Sequence, residues 1–194
     1  MRMHKFNFPA MTMGEYFYRL ASPEFPNPTG GGAVAVGALA GINLLCMVLE
    51  LNASRTADAM IIRELQVKSR GLKLLSEGLW RSMTRDISVM EEFLEDEVSG
   101  REACQGLFDM LDNIEAALML IPEVRRLNRL SMVDCDLEAA YWLLTGSGRA
   151  VGALLQSNLS GGEDKYEETG DLGIRRFPQL NQDYYQGHHS YYQT

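Results

Sequence analysis

A run of small and apolar residues covers positions 33–51 and is directly preceded by Pro28-Thr29-Gly30-Gly31-Gly32. From position 33 to 49 the only strongly polar side chain is that of Asn43. On a helix, Gly37 and Gly41 lie one turn apart and form a face with almost no side-chain bulk, which another backbone can approach closely. The pattern predicts a helix over about 32–52 that is buried on all sides.

The three glycines predict a ligand-binding loop at the start of this helix. Free N–H groups at a helix N-terminus attract polar or anionic groups, and glycine leaves them unshielded. We therefore interpret Gly30, Gly31 and Gly32 as backbone donors to a ligand. The motif lacks the Lys-Ser/Thr pair that completes a nucleotide-binding P-loop.

The same apolar run is just long enough for a membrane span, and Gly-x-x-x-Gly is a helix-dimer pattern in lipid. Much of it is Ala and Gly, however, and Glu50 ends it with no flanking Lys or Arg as an orientation signal. We therefore predict the central helix of a helical bundle and no membrane association.

Composition limits the class of protein. A chain of 194 residues that is 46% hydrophobic can bury the core of one domain, and its 11 methionines and few β-branched residues favour helix. A net charge of −8 argues against nucleic-acid binding. The three cysteines lack metal-ligand spacing and no secretory signal is visible, so we expect a cytoplasmic protein without a metal site.

The fold class predicted from these patterns is all-α, a bundle of long antiparallel helices around the Gly/Ala-rich helix. One helical domain is expected over residues 1–160, followed by a polar, Tyr-rich tail over 161–194. The expected helices cover about 13–21, 32–52, 57–98, 101–120 with a continuation after Pro122, and 137–158. Because each subunit alone would expose apolar surface, we expect a homodimer or higher homo-oligomer.

Several helix boundaries carry specific signals. Thr12 and Glu15 form a capping-box pattern, and Phe17 should face inward on the first helix. Thr56 is the expected cap of the long third helix. Pro122 should break the helix that contains it. The remaining expectations are a bend in the third helix at Gly71 or Gly78, and Asp134 or Asp136 as the cap of the last helix.

Three local patterns resemble the cyclodeaminase/cyclohydrolase family of folate one-carbon enzymes. The first is the short helix, Ser22-Pro23 and then Pro28-Thr29-Gly30-Gly31-Gly32-Ala33-Val34-Ala35. The second is Asp86, which stands in the place of the family's acidic residue late in the long helix. The third is Asp136 followed by an Ala/Leu-rich helix that ends at Asn158-Leu159. The resemblance covers roughly residues 11–159.

The resemblance implies an all-helical oligomer whose folate site lies at a subunit junction. It implies formiminotetrahydrofolate cyclodeaminase or methenyltetrahydrofolate cyclohydrolase activity, with a tetrahydrofolate derivative as substrate and Asp86 as the catalytic carboxyl. The substrate-binding residues implied or inferred are Gly30, Gly31, Gly32, Asn43, Arg55, Asp136 and Asn158. Arg55, together with Arg149, is a cation suited to the glutamate tail of a folate.

Each of these residues also has a plain structural interpretation. Asp86 can be a solvated residue beside Arg85, Asp136 can be a helix cap, and Asn43 can be a hydrogen-bonded core amide. The family's usual lysine cluster is replaced by Asn52-Ala53-Ser54-Arg55-Thr56. A non-catalytic relative that acts as a ligand- or protein-binding helical dimer therefore remains the alternative.

Overall fold

The computed structural model describes residues 11–22, 29–94 and 100–160 of the chain. Within these ranges the regular elements are all helical, which confirms the predicted fold class. Residues 1–10 and 23–28, the end of the predicted third helix (95–98) and the predicted tail (161–194) lie outside the described residues. The division into a domain and a tail therefore stays a prediction.

Six α-helices and one 3₁₀ turn make up the described structure. They are α1 (Met13–Leu20), α2 (Gly30–Arg55), α3 (Ala59–Leu94), α4 (Gly100–Ala103), α5 (Gln105–Leu127), the 3₁₀ turn Ser131–Val133 and α6 (Asp134–Ser160).

The four long helices form an up-down-up-down bundle in the order α2, α3, α5, α6, with α6 returning to pack beside α2. Ion pairs between α3 and α5 show that neighbouring helices run in opposite directions. Glu64 on α3 pairs with Arg126 near the end of α5, whereas Arg85 pairs with Asp109 near its start, at 3.6 Å. Each helix is thus antiparallel to its two neighbours, as the sequence predicts.

Helix α2 begins earlier than the sequence pattern predicts. Thr29 is its N-cap and Gly30–Gly32 form its first turn, so the glycines belong to the helix and not to a preceding loop. The Thr29 hydroxyl accepts a hydrogen bond from the Gly32 N–H at 3.4 Å. A threonine cap with an extended backbone satisfies one free amide of the first turn, which offsets the low helix propensity of the three glycines.

Helix α2 is not buried on all sides. It packs against α3, α6 and α5, but Ala40 and Asn43 are exposed on its outer face. Asn43 bonds its own helix, donating to the Leu39 carbonyl at 2.8 Å, so it is not a core amide. By length and hydropathy α2 is the one described helix able to cross a membrane, and 56% of its most apolar stretch is buried inside the bundle.

The predicted close approach of another backbone to the Gly37 and Gly41 face of α2 is confirmed, and the helix that makes it is α6. A Cβ added at Gly41 would lie 2.8 Å from Leu144 Cγ and 3.1 Å from the Ala140 carbonyl oxygen. A Cβ at Gly37 would lie 2.9 Å from the Ser147 hydroxyl. The small-residue face of α2 therefore lets α6 pack at short range, and a larger side chain at Gly41 would force the two backbones apart.

Helix α3 continues through both Gly71 and Gly78 as one helix to Leu94, and the predicted bend stays untested. Its cap is Asp58, whose carboxylate accepts from the Met60 and Ile61 N–H groups, and not Thr56 as predicted. Met60, the first apolar residue of the helix, is 78% exposed, because the inward stripe begins with Ile61 and Leu65.

Helix α5 continues past Pro122, so the predicted break is wrong. Proline removes one N–H from the ladder, but Pro122 faces solvent while Ile121 and Val124 are buried on either side. The burial of these two residues stabilises the helix across the position where Pro122 leaves a backbone hydrogen bond unmade.

Two further local predictions are corrected by the structure. Helix α6 begins at Asp134, so Asp136 lies within its first turn, where a carboxylate complements the helix dipole, and does not flank the helix as a cap. In α1 the capping box of Thr12 and Glu15 is confirmed, but Tyr16 is buried whereas Phe17 is 51% exposed. The core contacts α1 on the side of Tyr16, one position away from the predicted face.

Candidate functional site

Asp86 lies on α3 at the end of the bundle where α2 begins, and its side chain is only 4% exposed. The Thr29 hydroxyl donates a hydrogen bond to Asp86 Oδ2 at 2.7 Å. The neighbouring Arg85 extends away and pairs with Asp109 on α5. The plain interpretation of Asp86 as a solvated partner of Arg85 is therefore wrong, and the carboxyl is held inside the fold.

Two glycines allow this burial. A Cβ at Gly31 would lie 2.4 Å from Asp86 Oδ2, and a Cβ at Gly106 would lie 3.0 Å from the Asp86 backbone nitrogen. No side chain larger than hydrogen fits at Gly31 without displacing the carboxyl. Sequence analysis singled out Gly31 but missed Gly106, whose only signal was a glycine in the first turn of an otherwise ordinary amphipathic helix.

The electrostatics of Asp86 follow from its burial. Burial raises the pKa of the carboxyl above its usual value, and the hydrogen bond from Thr29 offsets part of this increase. Desolvation disfavours the charged form, whereas a donor to the carboxylate favours it. Asp86 thus keeps its proton to a higher pH than an exposed aspartate does.

Asn158, near the end of α6, reaches the same site. Its side chain hydrogen-bonds the thiol of Cys104, which is fully buried between α4 and α5. Burial raises the pKa of Cys104, the Asn158 hydrogen bond lowers it and the negative charge of Asp86 raises it further. Leu154, one turn before Asn158, packs against Gly30. Cys104 was not predicted at the site, because a single cysteine carries no spacing signal.

The structure therefore brings together five of the predicted site residues, namely Gly30, Gly31, Gly32, Asp86 and Asn158. Arg55 and Asp136 lie elsewhere. Arg55 is 24 residues along α2 from Gly31, which corresponds to roughly 36 Å of helix. Asp136 is 22 residues from Asn158 on α6, which corresponds to roughly 33 Å. Both stand at the far end of the bundle within one chain.

Asn43 lies midway along α2 and lines a shallow groove against α3. The groove has a volume of about 480 Å³. Its walls include Glu50 and Lys73, whose side chains pair at 2.6 Å, and Ser69 donates to Glu50 at 3.2 Å. The charged groups of the groove are thus already paired with each other, and the groove is separate from the Asp86 site.

A metal site has no candidate in the part of the chain that the structure describes, where no group of three or more His, Cys, Asp or Glu side chains converges. The described cysteines, Cys46, Cys104 and Cys135, are all free thiols. The polar groups that the described residues bring to the site are the Asp86 carboxyl, the amides of the first turn of α2 and the Asn158 side chain.

Fold and site together define an all-helical bundle that holds a buried carboxyl against a glycine-rich helix start. No family model and no curated protein matches this sequence. In three dimensions the chain is similar to the crystal structure of formiminotetrahydrofolate cyclodeaminase from Thermotoga maritima. The TM-score is 0.66 at 13% sequence identity, and the match covers 92% of each chain. The predicted resemblance to the cyclodeaminase/cyclohydrolase family is thereby confirmed for the fold.

Proposed function

We propose that this protein is a cytoplasmic folate one-carbon enzyme, either a formiminotetrahydrofolate cyclodeaminase or a methenyltetrahydrofolate cyclohydrolase. The observation that carries the proposal is the buried Asp86 carboxyl, which Thr29 holds against the first turn of α2. It supports the proposal because it occurs on the fold of a formiminotetrahydrofolate cyclodeaminase.

Both reactions transfer protons at a one-carbon unit between N5 and N10 of tetrahydrofolate. In cyclodeamination N10 attacks the formimino carbon, and the bond to the departing nitrogen breaks as that nitrogen is protonated and leaves as ammonia. In cyclohydrolysis water attacks the methenyl carbon, loses a proton, and a ring C–N bond then opens. Asp86, whose pKa is raised by burial, is suited to exchange these protons with the substrate.

The surrounding groups suit recognition of a flat, polar ring. The N–H groups of Gly30 and Gly31 belong to the first turn of α2, where helix amides have no partner within the helix. The exposed Asn158 side chain offers an amide with both donor and acceptor atoms. We assign these three residues to the substrate, with Asp86 beneath them as the reacting group.

The proposal also includes a homodimer, in which a second copy of the chain packs against α2. From position 33 to 49 the outer face of α2 is apolar except for Asn43, although a corner helix of a four-helix bundle is normally polar on its outer side. Glu50, Ser54 and Arg55 are exposed only at its C-terminal end. Asn43 lies at the middle of α2, and Gly31 and Arg55 are each twelve residues from it. If two α2 helices pack antiparallel about Asn43, Arg55 of the partner subunit stands at the same level along the helix axis as Gly31. A guanidinium there suits the carboxylates of a folate tail.

Binding and turnover test the proposal directly. We expect 5-formyltetrahydrofolate, a stable one-carbon folate, to bind in the micromolar range, about −8 kcal/mol, by calorimetry. Asp86→Asn should lose 100-fold or more in turnover of the formimino or the methenyl substrate, because general acid–base groups contribute about 10²–10⁴-fold. Full activity of Asp86→Asn in both assays would disprove its catalytic role.

Two glycine-to-alanine substitutions distinguish a specific effect at the Asp86 site from a general effect on a helix. Gly31→Ala places a methyl group against the Asp86 carboxyl, whereas the Gly146→Ala methyl on α6 meets open space. We expect Gly31→Ala to weaken folate binding at least tenfold and Gly146→Ala to leave it unchanged. Folate binding without turnover in the native protein would favour the non-catalytic relative, and no binding at all would reject the folate assignment.

A further inference from the structure

The Thr29 hydroxyl contacts both the first turn of α2 and the Asp86 carboxyl, and no sequence motif predicts this double contact. It accepts a hydrogen bond from the Gly32 N–H at 3.4 Å and donates its own hydrogen to Asp86 Oδ2 at 2.7 Å. A hydroxyl has one hydrogen, so donating it to Asp86 leaves the oxygen lone pairs for the helix amide. One side chain therefore caps α2 and contacts the buried carboxyl of α3.

The two oxygens of Asp86 have different surroundings. Oδ2 faces Thr29 and the Cα of Gly31. Among the described residues, none donates a hydrogen bond to Oδ1. A carboxyl bonded through one oxygen only has a defined rotamer and presents its second oxygen in one direction.

We propose that Thr29 is a positioning residue for Asp86: its hydroxyl holds Oδ2 against the start of α2 and leaves Oδ1 as the oxygen that meets a ligand. The amide of Gly32, at the positive end of the helix dipole, polarises the hydroxyl towards donation. The effect on catalysis rests on the proposed function, whereas the effect on Asp86 itself does not.

The first experiment titrates Asp86 without any substrate. In protein labelled with ¹³C at aspartate carboxyls, the signal that disappears in Asp86→Asn is that of Asp86. Thr29→Val keeps the shape of the side chain but removes the donor, and Thr29→Ser keeps the donor. Because a hydrogen bond to a charged group contributes about 1.5–3 kcal/mol, Thr29→Val should raise the titration midpoint of Asp86 by about one pH unit or more. Thr29→Ser should stay close to the native midpoint.

Thr29→Val also loses the cap of α2, so Thr29→Ala serves as a second donor-free variant if the valine variant folds poorly. An unchanged midpoint in both donor-free variants would overturn the inference. So would a Thr29→Ser shift equal to that of Thr29→Val.

The second experiment measures the pH profile of turnover. In an active enzyme, the limb assigned to Asp86 should move to higher pH in Thr29→Val by the same amount as the titration, with a larger change in kcat than in KM. A shifted titration with no turnover in the native protein would reject the proposed function and leave the positioning role standing. An unshifted limb in an active enzyme would overturn the catalytic part of the inference.

Discussion

At the scale of single residues, the most consequential feature is a carboxyl group that has been taken out of water. Asp86 is buried with one hydrogen-bond donor among the described residues, Thr29, and the nearby thiol of Cys104 is also buried. A protein that buried this group only for stability would do better with an apolar side chain of similar volume. Its retention beside Gly31 and Asn158 is consistent with a chemical role.

The raised pKa of Asp86 makes the stability of the protein depend on pH in a defined direction. Its folded-state pKa lies above the unfolded value of about 3.9, so the folded state binds the proton more tightly. The contribution of Asp86 to the free energy of unfolding is therefore present at low pH and is lost as pH rises from about 4 through the folded-state pKa.

Asp86→Asn removes this titration. We expect the free energy of unfolding of the variant, minus that of the native protein, to increase from about pH 3 to a pH above the folded-state pKa by about 1.4 kcal/mol for each unit of the upward shift. Urea unfolding at a series of pH values measures the difference. A difference that is constant or falls with pH would contradict a raised pKa for Asp86.

At the scale of elements, one buried amide connects three parts of the bundle at the end opposite Asp86. Asn52 on α2 is 4% exposed and donates to the Val48 carbonyl and to Asn128 Oδ1, each at 2.8 Å. Its Oδ1 accepts from the Arg129 N–H at 2.8 Å. Asn128 in turn donates to Asp134 at the start of α6. The loop between α5 and α6 is thus held to α2 by hydrogen bonds.

Replacing Asn52 with leucine should disturb this connection. The side chain keeps a similar size, but the Arg129 N–H and Asn128 Oδ1 lose their partner. We expect Asn52→Leu to reduce the free energy of unfolding by about 1–3 kcal/mol, measured by urea denaturation. Ser54→Ala, two residues later and exposed, should change it by less than about 0.5 kcal/mol. Equal effects of the two substitutions would show that the Asn52 network contributes no particular stability.

At the scale of the whole molecule, the unusual feature is an apolar helix at the corner of a four-helix bundle. Little more than half of the most apolar stretch of α2 is buried inside the chain. The outward residues include the exposed Ala40 and the partly exposed Met47, on either side of Asn43. A second copy packed antiparallel on this face would cover it. The start of α2 in one subunit would then lie at the same level as the end of α2 in the other.

The proposed dimer predicts both an oligomeric state and a pattern of complementation. Light scattering should give the mass of a dimer for the native protein and a weaker or absent dimer for Ala40→Glu. The matched Ala139→Glu, on the exposed side of α6, should remain dimeric. A monomeric native protein, or an unchanged dimer in Ala40→Glu, would reject this interface.

If Arg55 of the partner subunit serves the Asp86 site, two inactive variants should complement each other. Coexpression of Asp86→Asn with Arg55→Ala forms mixed dimers in which one of the two sites has both native groups. We expect about a quarter of native turnover from the statistical mixture, compared with near-background turnover from either variant alone. Turnover no higher than that of the separate variants would place Arg55 outside the site.

The amino-acid sequence by itself determined the helical class, the long helices and the small-residue contact between α2 and α6. These depend on the period of apolar residues and on the absence of bulk at Gly37 and Gly41, which are local properties of the chain. Resemblance to a family, and not periodicity, singled out Asp86. Only the tertiary structure decided that Asp86 is buried, since a single carboxyl beside Arg85 is equally compatible with an exposed helix face.

Some errors of the sequence interpretation have a tertiary cause. Pro122 does not end α5 because buried residues on both sides of it stabilise the helix, and burial is decided by other helices. The site unites Thr29, Asp86, Gly106 and Asn158, which are far apart in sequence and acquire their chemistry only through contact. Hydrogen bonding and desolvation at this site act across helices, so no local pattern contains them.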